Sequence, residues 1–227
     1  MKMKQIAVAV GAVMLAGSAA AEWSANIGAT SDYLWRGQTQ SGHDGAISGG
    51  LDYAHDSGFY AGTWTSSLGG GSAEVDLYAG FGGEAASLGY DVGIVTYLYP
   101  SLSDSDFTEI YGSVSYEWFT AGLAYTVDGD ASSPSPFVEG DLYYYATVGF
   151  DIAPTWTLGG TIGYYDFDDD GSGGVESYTH YQLDVGKSAG DFGDFTFTVS
   201  SNDGGVFQNS SDEDDIIVAV SWGKTFD

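Results

Sequence analysis

The stretch Tyr90-Asp91-Val92-Gly93-Ile94-Val95-Thr96-Tyr97-Leu98 sets Tyr90, Val92, Ile94, Thr96 and Leu98 on every second residue. Successive side chains of an extended chain point to opposite faces, so this period of two reads as a strand with two unlike faces. The pattern recurs on both sides. Upstream, Val75, Leu77, Ala79 and Phe81 alternate with Glu74, Asp76 and Tyr78. Downstream come Ile110 to Trp118, Phe119 to Val127, Leu142 to Ile152, Trp156 to Tyr164, Tyr181 to Val185, Phe195 to Val199 and Ile216 to Trp222. Weaker segments near 23–35, 46–54 and 59–65 complete a set of about twelve strands, and no helical period competes beyond the N-terminal segment.

The connections alternate in length. Short ones are expected at His55 to Gly58, Gly82 to Gly89, Glu117-Trp118, Ala153 to Thr155 and Ser188 to Asp191. Long, polar ones rich in Gly, Asp and Ser are expected around 36–45, 66–72, 100–106, 128–141, 167–177 and 202–214. Short turns at one end, long loops at the other and an even strand count mark a transmembrane β-barrel of the outer-membrane kind. Aromatic rings flank the short turns: Tyr53 and Phe59, Phe81 and Tyr90, Trp118 and Phe119, Phe150 and Trp156, with Phe192 and Phe195 just past the fifth. Rings at one common height form a membrane-interface girdle. The closing segment, Ile216, Val218, Val220, Trp222 and Phe226, keeps one parity, as the last strand of such a barrel does when it addresses the barrel-assembly machinery. Lys224 interrupts it and would have to snorkel to the interface.

Charge narrows the function. Five Lys+Arg face 32 Asp+Glu, for a net charge of −27, so nucleic acid is excluded as a partner by repulsion. No cysteine is present, which removes disulfides, thiolate metal sites and a cysteine nucleophile. Residues 1–21 read as an export signal. Lys2 and Lys4 precede the apolar run Ile6 to Leu15, and Gly17 to Ala21 supply the small residues of a cleavage site, with Glu22 as the mature N-terminus. Cleavage would leave Arg36, Lys187 and Lys224 as the fixed positive charges. The expected domain organisation is a cleaved 1–21 and a single barrel over 22–227.

The opening of the mature segment adds a further signal. Ser31-Asp32-Tyr33-Leu34-Trp35-Arg36-Gly37-Gln38-Thr39-Gln40-Ser41 resembles the SDYxxRGxxQS signature of the TorF-type outer-membrane porins, the glycine-rich family also called Gcw_chp. Gly49 to Tyr53 and Ser57 to Trp64 are similar to that family's next two strands. The resemblance implies an outer-membrane barrel and supplies no catalytic residue.

If the apolar set faces lipid, the alternate set faces the lumen. That set includes Asp32, Asp52, Glu74, Asp76, Asp91, Glu109, Asp184 and Asp194, with Arg36 the sole base nearby. Carboxylates lining a bore attract cations and repel anions. Tyr97, Tyr111 and Tyr145, with Tyr78, Tyr99, Tyr143 and Tyr165, would point inward and narrow it. Arg36 is expected to pair with Asp32, Asp44 or Asp52 and to fix the first loop over the mouth.

Other sites are thin. Asp166, Asp168 and Asp170 have the spacing that opens a calcium-binding loop, but Ser177 stands at the twelfth position, so only a loosely bound calcium ion on an outer loop is conceivable. His43, His55 and His180 are scattered, and a triad from His180, Asp184 and a serine has no motif behind it. No enzyme and no resident cofactor are expected. The expected partners are outer-membrane lipid and lipopolysaccharide outside the barrel and small solutes or cations within it. The expected function is passive, cation-favouring passage of small solutes across the outer membrane. Its alternatives are a non-conducting surface barrel whose acidic loops bind divalent ions or a partner, and a soluble exported β-sandwich.

Overall fold

The computed structural model describes residues 22–173, 175–204 and 216–227. The expected signal peptide therefore lies outside the described residues, as do Asp212 to Asp215. Twelve strands form one closed antiparallel barrel: β1 Glu22–Thr30, β4 Ala46–Ala54, β5 Phe59–Ser67, β6 Ala73–Ala85, β7 Leu88–Leu98, β8 Phe107–Tyr116, β9 Phe119–Gly129, β10 Leu142–Ala153, β11 Trp156–Asp166, β12 Tyr178–Ser188, β13 Asp194–Asn202 and β14 Ile217–Phe226. Each pairs with its sequence neighbour. The first strand closes the ring against the last, from Ala25 opposite Phe226 to Thr30 opposite Ser221. Closure leaves no ladder edge unpaired, which is what lets strands cross a bilayer. Two short strands, β2 Leu34–Trp35 and β3 Gln38–Thr39, make a separate ribbon within the first long connection. Among the described residues helix is confined to two single 3-10 turns, Gly69–Gly71 and Gly190–Phe192.

The parity read from sequence holds around the ring. Leu77, Val92, Ile94, Ile110, Leu123 and Val218 point outward and are 45–56% exposed. Their neighbours Glu74, Asp76, Asp91 and Glu109 are at most 6% exposed. This is the inverse of a soluble sandwich, whose apolar face would be the dry one. The ring of aromatics at the short-turn end also faces out. Trp118 packs at 5.4 Å on Phe150, and Trp23 at 5.1 Å on Tyr53. Lys224 does snorkel: its Nζ donates to the Asp191 carbonyl at 2.6 Å, while that of Lys187 donates to Thr155.

Three boundaries differ from the sequence reading. The first strand stops at Thr30 rather than near 35, because Thr30 Oγ1 bonds the Asp32 carbonyl and turns the chain inward. The connection expected over 82–89 shrinks to Ala86-Ser87, both at positive φ, the two-residue turn whose twist matches a hairpin. The long connection near 66–72 shortens because β5 runs to Ser67.

Inside the barrel, tyrosine rings lie flat on glycines of the neighbouring strand. A Cβ added at Gly62 would stand 2.6 Å from the Tyr78 hydroxyl, and one at Gly122 the same distance from that of Tyr145. Gly80 under Tyr60 and Gly93 under Tyr111 repeat the arrangement. These four glycine–tyrosine pairs are one device, rings laid along the wall rather than across the bore.

Candidate functional site

The lumen is the candidate site, and its long-loop half is built around the β2–β3 ribbon. Arg36 and Gly37 form the ribbon's turn with φ of 49° and 82°, the paired positive values of a type I′ turn. Asp32 staples its base. Asp32 Oδ1 accepts from Thr39 Oγ1 at 2.6 Å and Ser41 Oγ at 3.1 Å, and its Oδ2 lies 2.9 Å from His43 Nδ1. The ribbon leaves from β1 and returns to β4, yet its tip meets the far wall. Arg36 Nη1 and Nη2 donate to Glu109 Oε1 and Oε2 at 2.8 and 2.6 Å. Glu109 belongs to β8, five strands from β1 in the ring of twelve, so the ribbon crosses the bore.

Side contacts anchor it along the way. Tyr33 OH donates to Glu74 on β6 at 2.7 Å. Tyr178 OH donates to the Arg36 carbonyl at 3.0 Å, and Asn202 Nδ2 to the Gly37 carbonyl at 2.8 Å. A Cβ at Gly37 would overlap the His180 side chain, so only glycine fits the tip. The guanidinium lies over three rings, 4.2 Å from that of Trp35, 4.3 Å from Tyr143 and 5.0 Å from Tyr165. Loop residues close in above. Phe137 stacks at 4.7 Å on Phe107 and meets Trp35 at 5.6 Å, while Phe167 stacks at 4.3 Å on Tyr165.

Arg36 thus pairs with Glu109 and not with Asp32, Asp44 or Asp52 as the sequence suggested. Asp32 is occupied by its own loop, and Asp52 by Asn26 Nδ2 at 3.1 Å and the Tyr78 hydroxyl. The partner is 73 positions away, a distance local reading cannot bridge.

The short-turn half is different. Asp91 accepts from Tyr60 OH at 2.9 Å, and the Tyr60 and Tyr111 hydroxyls meet at 2.6 Å. Asp184 accepts from Thr198 Oγ1 at 2.6 Å and Gln182 Nε2 at 2.9 Å. Hydroxyls and amides, not bases, hold these carboxylates. Lys187 and Lys224 sit on the outward parity, so Arg36 is the one Lys or Arg facing the lumen among the described residues.

The sequence-derived lining set is therefore mostly gathered in one space. Asp52, Glu74, Asp76, Asp91, Glu109, Asp184 and Tyr97 are buried within it, and Tyr111 and Tyr145 are half-buried on the wall. Asp194 keeps the inward parity but stands exposed at the short-turn rim. Asp166, Asp168 and Asp170 do not converge. Asp170 accepts the Ser177 N–H at 2.6 Å and Asp168 donates its own N–H to Asp141, so the segment is a hydrogen-bonded loop. Among the described residues no group of three or more His, Asp or Glu is placed to hold a metal ion. His180 bonds Tyr143 at 2.8 Å while Asp184 is held by Gln182 and Thr198, so the two do not form a pair.

Sequence reading missed Trp35, Gln38 and His180 as lumen residues, and Asp141 as the carboxylate that joins two loops. The Arg36-Gly37 pair between two-residue extended stretches was the available signal for the ribbon.

Comparison with solved structures places the fold. A KdgM porin matches with a TM-score of 0.58 and 7% identity, covering 90% of this chain and 98% of its own. A NanC porin matches with a TM-score of 0.57 and 12% identity over 90% and 98%. A KdgM porin in complex with disordered oligogalacturonate gives a TM-score of 0.57 at 6% identity, over 91% and 99%. These likenesses show the fold, a closed β-barrel of the kind these porins have. No curated protein matches in sequence. The model of one family matches residues 15–206, and the chain belongs to that family, described as a bacterial protein of unknown function (Gcw_chp).

Proposed function

We propose that this barrel is an outer-membrane channel giving passive, cation-favouring passage to small solutes, exported through cleavage after Ala21. The observation that carries the reading is the charge balance of the bore. Its one arginine is neutralised by Glu109, which leaves Asp52, Glu74, Asp76, Asp91 and Asp184 without a basic partner among the described residues. Such a wall lowers the energy of a cation and raises that of an anion. The acidic lining is the opposite of what a polyanion such as the oligogalacturonate bound to KdgM would need. The signature around Arg36, similar to that of the TorF-type porins, supports the outer-membrane location. The long loops face outward and the short turns the periplasm, as in barrels of this kind.

The test is single-channel conductance of the refolded protein in a planar bilayer, with a salt gradient to read selectivity. Discrete openings with a cation-selective reversal potential are expected. A second reading, a non-conducting barrel, is favoured by one feature, the ribbon that crosses the bore. Silence from a folded, heat-modifiable barrel would select that second reading and overturn the first.

A further inference from the structure

Asp76 is the odd carboxylate of the lumen. It is 4% exposed, and its buried Oδ1 accepts no hydrogen bond. Two residues earlier on the same strand, Glu74 is fully served, by Tyr33 OH at 2.7 Å and Tyr99 OH at 2.9 Å. A buried carboxylate oxygen without a donor is costly unless something else supplies the positive charge. The one lumenal arginine is already bound bidentately to Glu109.

The surroundings of Asp76 are rings. In the ladder it stands directly opposite Trp64 on β5 and directly opposite Tyr97 on β7. All three share the inward parity, so the carboxylate rises between two aromatic side chains. The ribbon adds a roof: Tyr33 meets Trp64 at 5.5 Å and Trp35 meets Tyr97 at 5.7 Å, both edge-on. Four rings and one unpaired carboxylate form the arrangement that recognises an organic ammonium, by ring quadrupole and by charge. A hard metal ion fits less well. Calcium takes six to eight oxygen ligands, and here both Glu74 oxygens are committed to tyrosines.

We propose that Asp76, Trp64 and Tyr97, roofed by Tyr33 and Trp35, form a binding site for the ammonium group of a small organic cation. The site lies under the ribbon, so a solute arriving from the loop end reaches it only as the ribbon lifts. The inference names a solute class for the cation-favouring bore and rests on that reading for the solute's route, but binding itself needs no conduction.

The test is calorimetric titration of the refolded barrel in detergent with choline chloride, against KCl and CaCl2 at matched ionic strength. Choline is expected to bind, with neither inorganic salt competing at equal concentration. Asp76→Asn should weaken binding about tenfold or more, as loss of a buried counter-charge does. Trp64→Phe, which keeps a ring and the fold, should weaken it several-fold by removing the better cation–π partner. Asp104→Asn, an equal charge change on an exposed loop, should leave it unchanged. Absence of choline binding to the folded wild-type barrel would overturn the site, as would equal competition by calcium or binding undiminished in Asp76→Asn. A barrel that binds choline but never conducts would overturn the channel and keep the site. A conducting, cation-selective barrel that ignores choline would do the reverse.

Discussion

In the long-loop half of the bore the protein supplies its own cation. Arg36 is carried across on the ribbon, closed on Glu109 and covered by Trp35, Tyr143 and Tyr165. In the short-turn half, Asp52, Asp91 and Asp184 are met by hydroxyls and amides and have no counter-ion among the described residues. The strands are the same, so the difference lies in what reaches into the lumen. An ion pair holds one partner in one geometry, while hydroxyls solvate a carboxylate much as water does and leave its field available to a passing cation. The first half reads as a closure and the second as a lining.

The sharpest way to break that contrast is to remove one side of the pair. Glu109→Gln leaves a guanidinium buried without its counter-charge, a change that costs about 3–5 kcal/mol where the charge cannot escape. A large drop in the unfolding midpoint of the barrel in detergent is expected if the ribbon stays inside. The ribbon has an escape that a wall residue lacks, so conductance is expected to rise in the same variant as the tip leaves the bore. An unchanged midpoint together with unchanged conductance would show that the pair closes nothing.

Gly37→Ala tests the same closure sterically. The tip glycine has φ of 82° and its Cβ position is filled by His180, so alanine meets both strain and overlap. A loss of about 1–3 kcal/mol is expected, with conductance moving in the direction of the Glu109 variant. If conductance stays at the wild-type level while stability falls, the ribbon's position does not control the path.

Neutralising the lining should have the opposite signature. The triple variant Asp52→Asn, Asp91→Asn, Asp184→Asn keeps polar side chains within the hydroxyl network, so stability should shift by about 1 kcal/mol per site or less. The reversal potential in a salt gradient should move from cation-favouring toward zero. Retained selectivity would transfer the role to Glu74 and Asp76 in the upper half.

The wall was legible in the sequence and the closure was not. Val92, Ile94 and Leu98 against Asp91, Val95 and Tyr97 assign a face to each residue by parity alone, because a strand's geometry repeats every two positions. The barrel ring and its strand number followed from counting alternating segments. Ser31 to Ser41 carries no such period. Its path depends on Asp32 stapling the loop to itself and on a carboxylate 73 residues away, and neither contact leaves a local trace beyond the Arg36-Gly37 turn. The same holds for the cage around Asp76. Tyr97 falls on an inward-parity position of a clear strand, but Trp64 lies in a weaker segment, and their alignment on one rung needs the register, which turn lengths decide.

An effect that depends on pH lies above both halves, where Asp141 joins two of the long connections. Its Oδ2 accepts the N–H groups of Phe137 and Val138, and its Oδ1 that of Asp168 at 2.9 Å. Burial pushes this carboxyl up to about 6 from an ordinary 3.8, against the pull of the three N–H groups. The sign follows from proton counting. Below about 3.8 both folded and unfolded chains are protonated here, and above about 6 both are ionised. Between those limits the unfolded chain loses its proton first, so this group's contribution to stability falls as pH rises. The slope from a single carboxyl is at most about 1.4 kcal/mol per pH unit. Melting followed from pH 4 to 7 should lose that component in Asp141→Asn, with the loops loosened at all pH values by the lost N–H acceptor. A wild-type stability that rises through this window from Asp141 would mean the loop holds the carboxylate ionised. The loops would then add charge to the mouth, and the outer half of the bore would resemble the inner one more than its buried arginine suggests.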